Sequence, residues 1–328
     1  MLPARYLPPL CPARVLPVIS VPRPVKHMYS GRMPTLCLAI KASDWDHLRI
    51  PGSVVLCMDS LGSNDFTSTE RVRKIEWLPH GFIALVAGPI STARELADIV
   101  RDQMQAGVSG VAPLLQQIRT AVSVMKHRFA DAHVGARLGM DYRKFQRTGR
   151  QALPDDLYRQ IAWDISGQRL EVELIVAGFV PGQYSDREPV VVKLSAEQVV
   201  TCDTFAAIGS GALLAEASLM QRDYSSIATI EYATYLAYEA KRLGERAPGV
   251  GRETNIMVMV DGPNGPRYKE LFRDQLSTTL ENLFKRFGPQ PITDTKVMQL
   301  PQNAWHPEAG SDHQWTTVAP SDPPPSQA

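Results

Sequence analysis

The sequence predicts an α+β fold in which two antiparallel sheets stack between helical layers, a four-layer αββα sandwich. Three observations carry this. Four short, apolar, β-rich segments follow one another and read as two hairpins. Amphipathic helices come next, and strands then return. A doubly wound parallel sheet would alternate strand and helix, and this chain does not.

The first hairpin pairs "TLCLAIKA" (35–42) with "SVVLCMDS" (53–60) across the polar stretch "SDWDHLRIPG". The second pairs "RKIEWLP" with "FIALVAG" (82–88), turning near "PHG". A helix follows, with Thr92 and Glu95 as a capping box and Leu96, Ile99, Val100 and Met104 on one face. A second helix is expected from about Ala112 to Ala130. Residues 136–160, with "YRKFQRTGRQ", are polar and basic and read as a solvated insertion rather than a nucleic-acid patch. Strands return in "RLEVELIVAGFV" (169–180) and "PVVVKLSA" (189–196). After "FAAIGSGA" (205–212) a helix is expected over 226–243, where Ile227, Ile230, Ala237 and Ala240 recur at helical spacing. "TNIMVMVDG" (254–262) reads as a strand, and 268–287 as a final helix.

The chain has 328 residues, 44% of them hydrophobic, enough for a sizeable core. A formal net charge of +1 makes no case for nucleic acid or an anionic membrane as partner. No apolar run reaches the roughly 18 residues of a membrane span. Cys11, Cys37, Cys57 and Cys202 are scattered without CxxC spacing, which points to a reducing, cytoplasmic setting. The seven histidines are dispersed, and nothing in the sequence asks for a metal or a cofactor.

The ends differ from the middle. Residues 1–32 hold seven prolines and five Lys or Arg with no Asp or Glu, and are expected to be disordered. Three explanations are open: a removable propeptide, a targeting segment, or a start at Met28 or Met33. Residues 33–287 are expected to form one folded unit, and 288–328 a proline-rich tail. The "GSG" at 209–211 fails as a phosphate loop, because no Lys-Ser or Lys-Thr follows it. It reads as a tight turn.

In this order the segments resemble the proteasome subunit family, with its bacterial relatives, among the N-terminal nucleophile hydrolases. "TLCLAIK" looks like that family's first strand, "VVLCMDS" like its second, and "RKIEWLPHGFIALVAG" like its third and fourth. "ELIVAGFV" resembles its return strand. "FAAIGSGA" is the most specific piece, and "YLAYEAKR…APGVGRETNIMVM" is similar to the next helix and strand. Both tails and the 136–160 insertion fall outside the resemblance.

The resemblance implies a threonine peptidase. The hydroxyl of an N-terminal threonine attacks the scissile carbonyl, and its own α-amine accepts the proton; an ordinary α-amino pKa of about 7.7–8.0 suits that role. A lysine and a carboxylate tune the site, and backbone N–H groups near a glycine turn stabilise the oxyanion. Carried over, Thr35 takes the nucleophile position, Asp59 the acidic one, and Ser210 that of the supporting hydroxyl. Ala39 stands where the family often has glycine, and Glu253 near its later acidic position. For the lysine two registers are open. Aligning Arg73-Lys74 with the family's basic pair puts Glu70 on the lysine position, whereas an ungapped count selects Lys74. The resemblance also implies a homo-oligomeric ring and peptide or unfolded-protein substrates, and it leaves an ATPase partner open.

Pro34 keeps other readings of Thr35 open. Active subunits usually have glycine before the threonine, and removing an initiator Met33 would expose Pro34 instead. Thr35 is then either a nucleophile released by a cut at Pro34–Thr35 or the first residue of a buried strand in a non-catalytic, ring-forming subunit. A small-amide hydrolase of the same superfamily is a third reading.

Overall fold

A computed structural model describes residues 35–43, 52–59, 62–63, 68–69, 74–182, 187–262, 264–271, 273–289 and 316–317. The basic extension, Pro34, Glu70 and most of the expected tail lie outside the described residues. In chain order the first elements are β1 (Cys37–Ala42), β2 (Ser53–Asp59), β3 (Gly62–Ser63), β4 (Ser68–Thr69), β5 (Ile75–Trp77) and β6 (Ile83–Ala87). Four helices follow: α1 (Ile90–Met104), α2 (Val111–Leu138), α3 (Tyr142–Ala152) and α4 (Asp155–Gly167). Then come β7 (Glu173–Pro181), β8 (Arg187–Ser195), β9 (Gln198–Cys202) and β10 (Phe205–Ile208). The remainder is α5 (Ala212–Gln221), α6 (Ile230–Gly244), β11 (Thr254–Gly262), β12 (Gly265–Leu271), α7 (Arg273–Phe287) and β13 (Thr316–Thr317).

The fold is α+β, built on two antiparallel sheets. One runs β10-β1-β2-β11-β12-β13 and the other β5-β6-β7-β8-β9. Successive side chains of a strand point to opposite faces, and here both faces are buried. In β1, Leu38 and Ile40 pack with Tyr235, Leu236 and Ala240 of α6. Cys37 and Ala39 turn the other way, into a cluster with Ile83 and Leu85 of β6 and Ile175 of β7. The second sheet repeats the scheme: Ala84, Val86, Leu174 and Val176 pack on Leu96 of α1 and Ile118 of α2. These three clusters are compatible with a four-layer sandwich, and they explain why the strands are continuously apolar instead of alternating.

Several expectations change in detail. The capping box at Thr92 and Glu95 does not form. α1 starts at Ile90, after Pro89, and no side chain caps it. α2 extends to Leu138 and ends on Gly139 in the left-handed region, φ 64°. Residues in the polar 136–160 stretch fold into α3 and part of α4, with Phe145, Val134 and Ile161 in a small core of their own. Asp141 caps α3 by accepting from Lys144 N–H at 2.6 Å. α5 and β9 were not foreseen. The expected final helix begins later, at Arg273, because residues 265–271 pair with β11.

Candidate active site

β1 and β2 are antiparallel, with Cys37 opposite Met58, so the start of one strand lies beside the end of the other. This brings Thr35, just before β1, to Asp59, the last residue of β2. Asp59 N–H donates to the Leu36 carbonyl at 3.1 Å, which closes the ladder at this corner. On the other side of β1, Cys37 pairs with Ile208 of β10, which delivers the turn at Gly209–Gly211. Lys74 comes from the second sheet, immediately before β5, where its carbonyl accepts from Val86 N–H at 3.1 Å. One corner of the molecule thus collects side chains from three adjoining strand ends of one sheet and one of the other.

The Thr35 hydroxyl donates to Asp59 Oδ1 at 2.9 Å. Lys74 Nζ donates to both Thr35 Oγ1 and Asp59 Oδ1. Asp59 also accepts Leu36 N–H on Oδ1 and Gly251 N–H on Oδ2, each at 2.9 Å. Thr35, Asp59 and Lys74 are 2%, 1% and 5% exposed. Charges so buried persist when they are paired and hydrogen-bonded, and both conditions hold here. Of the two residues open for the lysine position, Lys74 is placed against Thr35 Oγ1, and Glu70 lies outside the described residues.

Ser210 meets the backbone of the same threonine. Its Oγ accepts Thr35 N–H at 3.2 Å and lies 3.3 Å from the Pro248 carbonyl. The turn is fixed by Gly209, whose φ is +91°. A Cβ there would sit 2.2 Å from the Thr35 carbonyl oxygen, so glycine serves both conformation and clearance. Gly211 N–H donates to that same carbonyl at 3.3 Å, and Gly209 N–H to Glu173 Oε2 at 2.7 Å. Those two amides hold the turn in place and are committed to it. A cavity of about 360 Å³ opens beside Gly209 and Ser210, lined also by Gly88, Leu170, Glu173 and Arg169.

The neighbouring Cys37 is no competitor as nucleophile. Burial pushes its thiol up to about 12, although the Lys74 charge pulls the other way, and its Sγ contacts the Val86 carbonyl at 3.6 Å. A thiol held neutral is unreactive. Ala39 is fully buried between the sheets.

All four residues expected from the sequence meet at this site: Thr35, Asp59 and Lys74 in one cluster, Ser210 on the Thr35 backbone. Gly251 and Glu173 complete it and were not foreseen. Glu173 had a weak signal, as a carboxylate at the head of an otherwise apolar strand; a backbone amide such as that of Gly251 has none. Among the described residues no group of three or more His, Cys, Asp or Glu side chains could hold a metal ion. None of the described helices is long and apolar enough to cross a membrane. Comparison with models of known protein families gives no match, and comparison with curated proteins gives none either.

Proposed function

We propose that the chain is a proteasome-like N-terminal nucleophile hydrolase that cleaves peptide or amide bonds with Thr35. The observation carrying this reading is the buried Thr35–Asp59–Lys74 cluster, in which one hydroxyl touches both members of an ion pair.

The chemistry follows from the contacts. A cut at Pro34–Thr35 frees the α-amine at the position where Thr35 N now faces Ser210 Oγ. Thr35 Oγ1 attacks the substrate carbonyl carbon, and its proton passes to that amine. The Lys74 ammonium lies against Oγ1 and stabilises negative charge developing there, while Asp59 holds the ammonium in place. The tetrahedral intermediate collapses, expelling the substrate amine with the proton and leaving an ester on Oγ1. Water then hydrolyses the ester by the same proton path and restores the hydroxyl.

A second reading is favoured by one observation. Thr35 is 2% exposed, and its nitrogen is a peptide nitrogen in the intact chain. In a non-catalytic, ring-forming subunit the same cluster would anchor the strand start. Hydrolysis of short acyl-peptide fluorogenic amides separates the readings. The first expects turnover by the wild type that vanishes in Thr35→Ala; equal turnover in both chains would overturn it.

A further inference from the structure

We infer that Lys241 is a positioning residue for Asp59, acting through the Gly251–Arg252 backbone. Lys241 lies in α6 and is 0% exposed. Its Nζ donates to the Arg252 carbonyl at 2.7 Å and to the Glu245 carboxylate. Arg252 follows Gly251, whose N–H donates to Asp59 Oδ2 at 2.9 Å. A continuous path therefore runs from a buried ammonium on the helical layer, through the backbone of Arg252 and Gly251, to the carboxylate beside Thr35.

The cost of burying this amine argues for a task. Burial pushes Lys241 below the ordinary lysine range, and Glu245 opposes the shift. Glu245 is itself shared, because Arg242 Nη1 donates to its other oxygen at 2.8 Å. Replacing a whole buried ion pair by apolar residues of similar size is often neutral or favourable for stability, so packing alone does not call for the Lys241–Glu245 pair here. Its specific contribution is a charged donor on the Arg252 carbonyl. That carbonyl belongs to the Arg252–Glu253 peptide, two units beyond the Val250–Gly251 peptide that carries the Gly251 N–H, so holding it restrains the Gly251–Arg252 segment whose amide binds the second oxygen of Asp59. Asp59 Oδ1 is left to Thr35, Leu36 and Lys74. Loss of the tether releases Oδ2, lets the carboxylate rotate and shifts the Lys74 ammonium away from Oγ1.

The tether stands on geometry alone; its effect on turnover rests on the function proposed above. Hydrogen exchange of the full-length chain, read at single-residue resolution by mass spectrometry, tests the tether without any activity. In the wild type the Gly251 amide is expected to exchange slowly. In Lys241→Met it is expected to exchange at least about tenfold faster, while the Ala207 amide, held by Glu216 at 3.2 Å, keeps its rate. Rapid Gly251 exchange in the wild type, or an unchanged rate in a folded Lys241→Met chain, would overturn the proposal. Equal acceleration at Gly251 and Ala207 would mean general loosening and would overturn it too. Lys241→Gln provides a second chain with the same expectation should the methionine variant fail to fold. In turnover, kcat is expected to fall about ten- to a hundredfold with KM nearly unchanged. Slow Gly251 exchange in a wild type that hydrolyses nothing would overturn the functional reading and leave the tether standing.

Discussion

The Asp59 carboxylate, at the end of β2, accepts a hydrogen bond from the Thr35 hydroxyl at 2.9 Å, across the antiparallel pair that β1 and β2 form. Around that bond one carboxylate also accepts from Lys74, Leu36 and Gly251. Its two oxygens thereby engage both sheets' strand ends and the loop before β11.

Replacing Lys74 by Met leaves the Asp59 charge buried with only neutral donors. Breaking a buried pair from one side costs about 3–5 kcal/mol, so Lys74→Met is expected to lower unfolding free energy by that order in urea denaturation. Adding Asp59→Asn should recover part of the loss, because the two residues share one interaction. A double variant as unstable as the sum of the singles would contradict the pairing. Turnover should be lost in all three chains.

Gly209→Ala places a Cβ against the Thr35 carbonyl in a backbone conformation that side chains rarely adopt. A destabilisation of at least about 1–3 kcal/mol is expected. The backbone at Thr35 must move to make room, so turnover should fall further than stability alone accounts for. Thermal unfolding and kcat measured on one preparation check this, and an alanine chain with wild-type kcat would argue against it.

The thiols give a test by pH. Burial raises Cys37 and Cys57 from an ordinary 9.0 to about 12. In a Cys11→Ser chain at pH 8, a disulfide reagent is expected to react first with Cys202, which is partly exposed, and with Cys37 and Cys57 only on unfolding. The linkage has a definite sign. The folded state holds these protons more tightly, so the contribution of the two thiols is full below pH 9 and is lost as pH rises from 9 toward 12. Prompt labelling of Cys37 in the native protein would show that the site opens.

The strands that carry the site are buried on both faces, and their unbroken apolar runs were legible as strands from their shortness and flanking turn signals, not from periodicity. α5 was not, because "ALLAEASLMQ" is apolar nearly all round. Leu213 and Met220 are well exposed while Ala215 and Leu219 are buried, so no helical period stands out. The last four residues of β12, from Tyr268 to Leu271, read as helix from sequence because "GPRYKEL" is largely polar and its pairing with β11 is a tertiary fact. Thr35, Asp59 and Ser210 were singled out only through the resemblance of the ordered segments to the proteasome subunit family. Lys74 was one of two choices, because separation along the chain does not show which side chain crosses from the second sheet. Gly251 and Lys241 act through backbone groups, which residue types do not encode.

The most direct test of the central claim is N-terminal sequencing of the native protein, with its intact mass. A mature chain whose first residue is Thr35, carrying a free α-amine beside Ser210, is expected. A native, hydrolytically active chain with Pro34 still attached would contradict it.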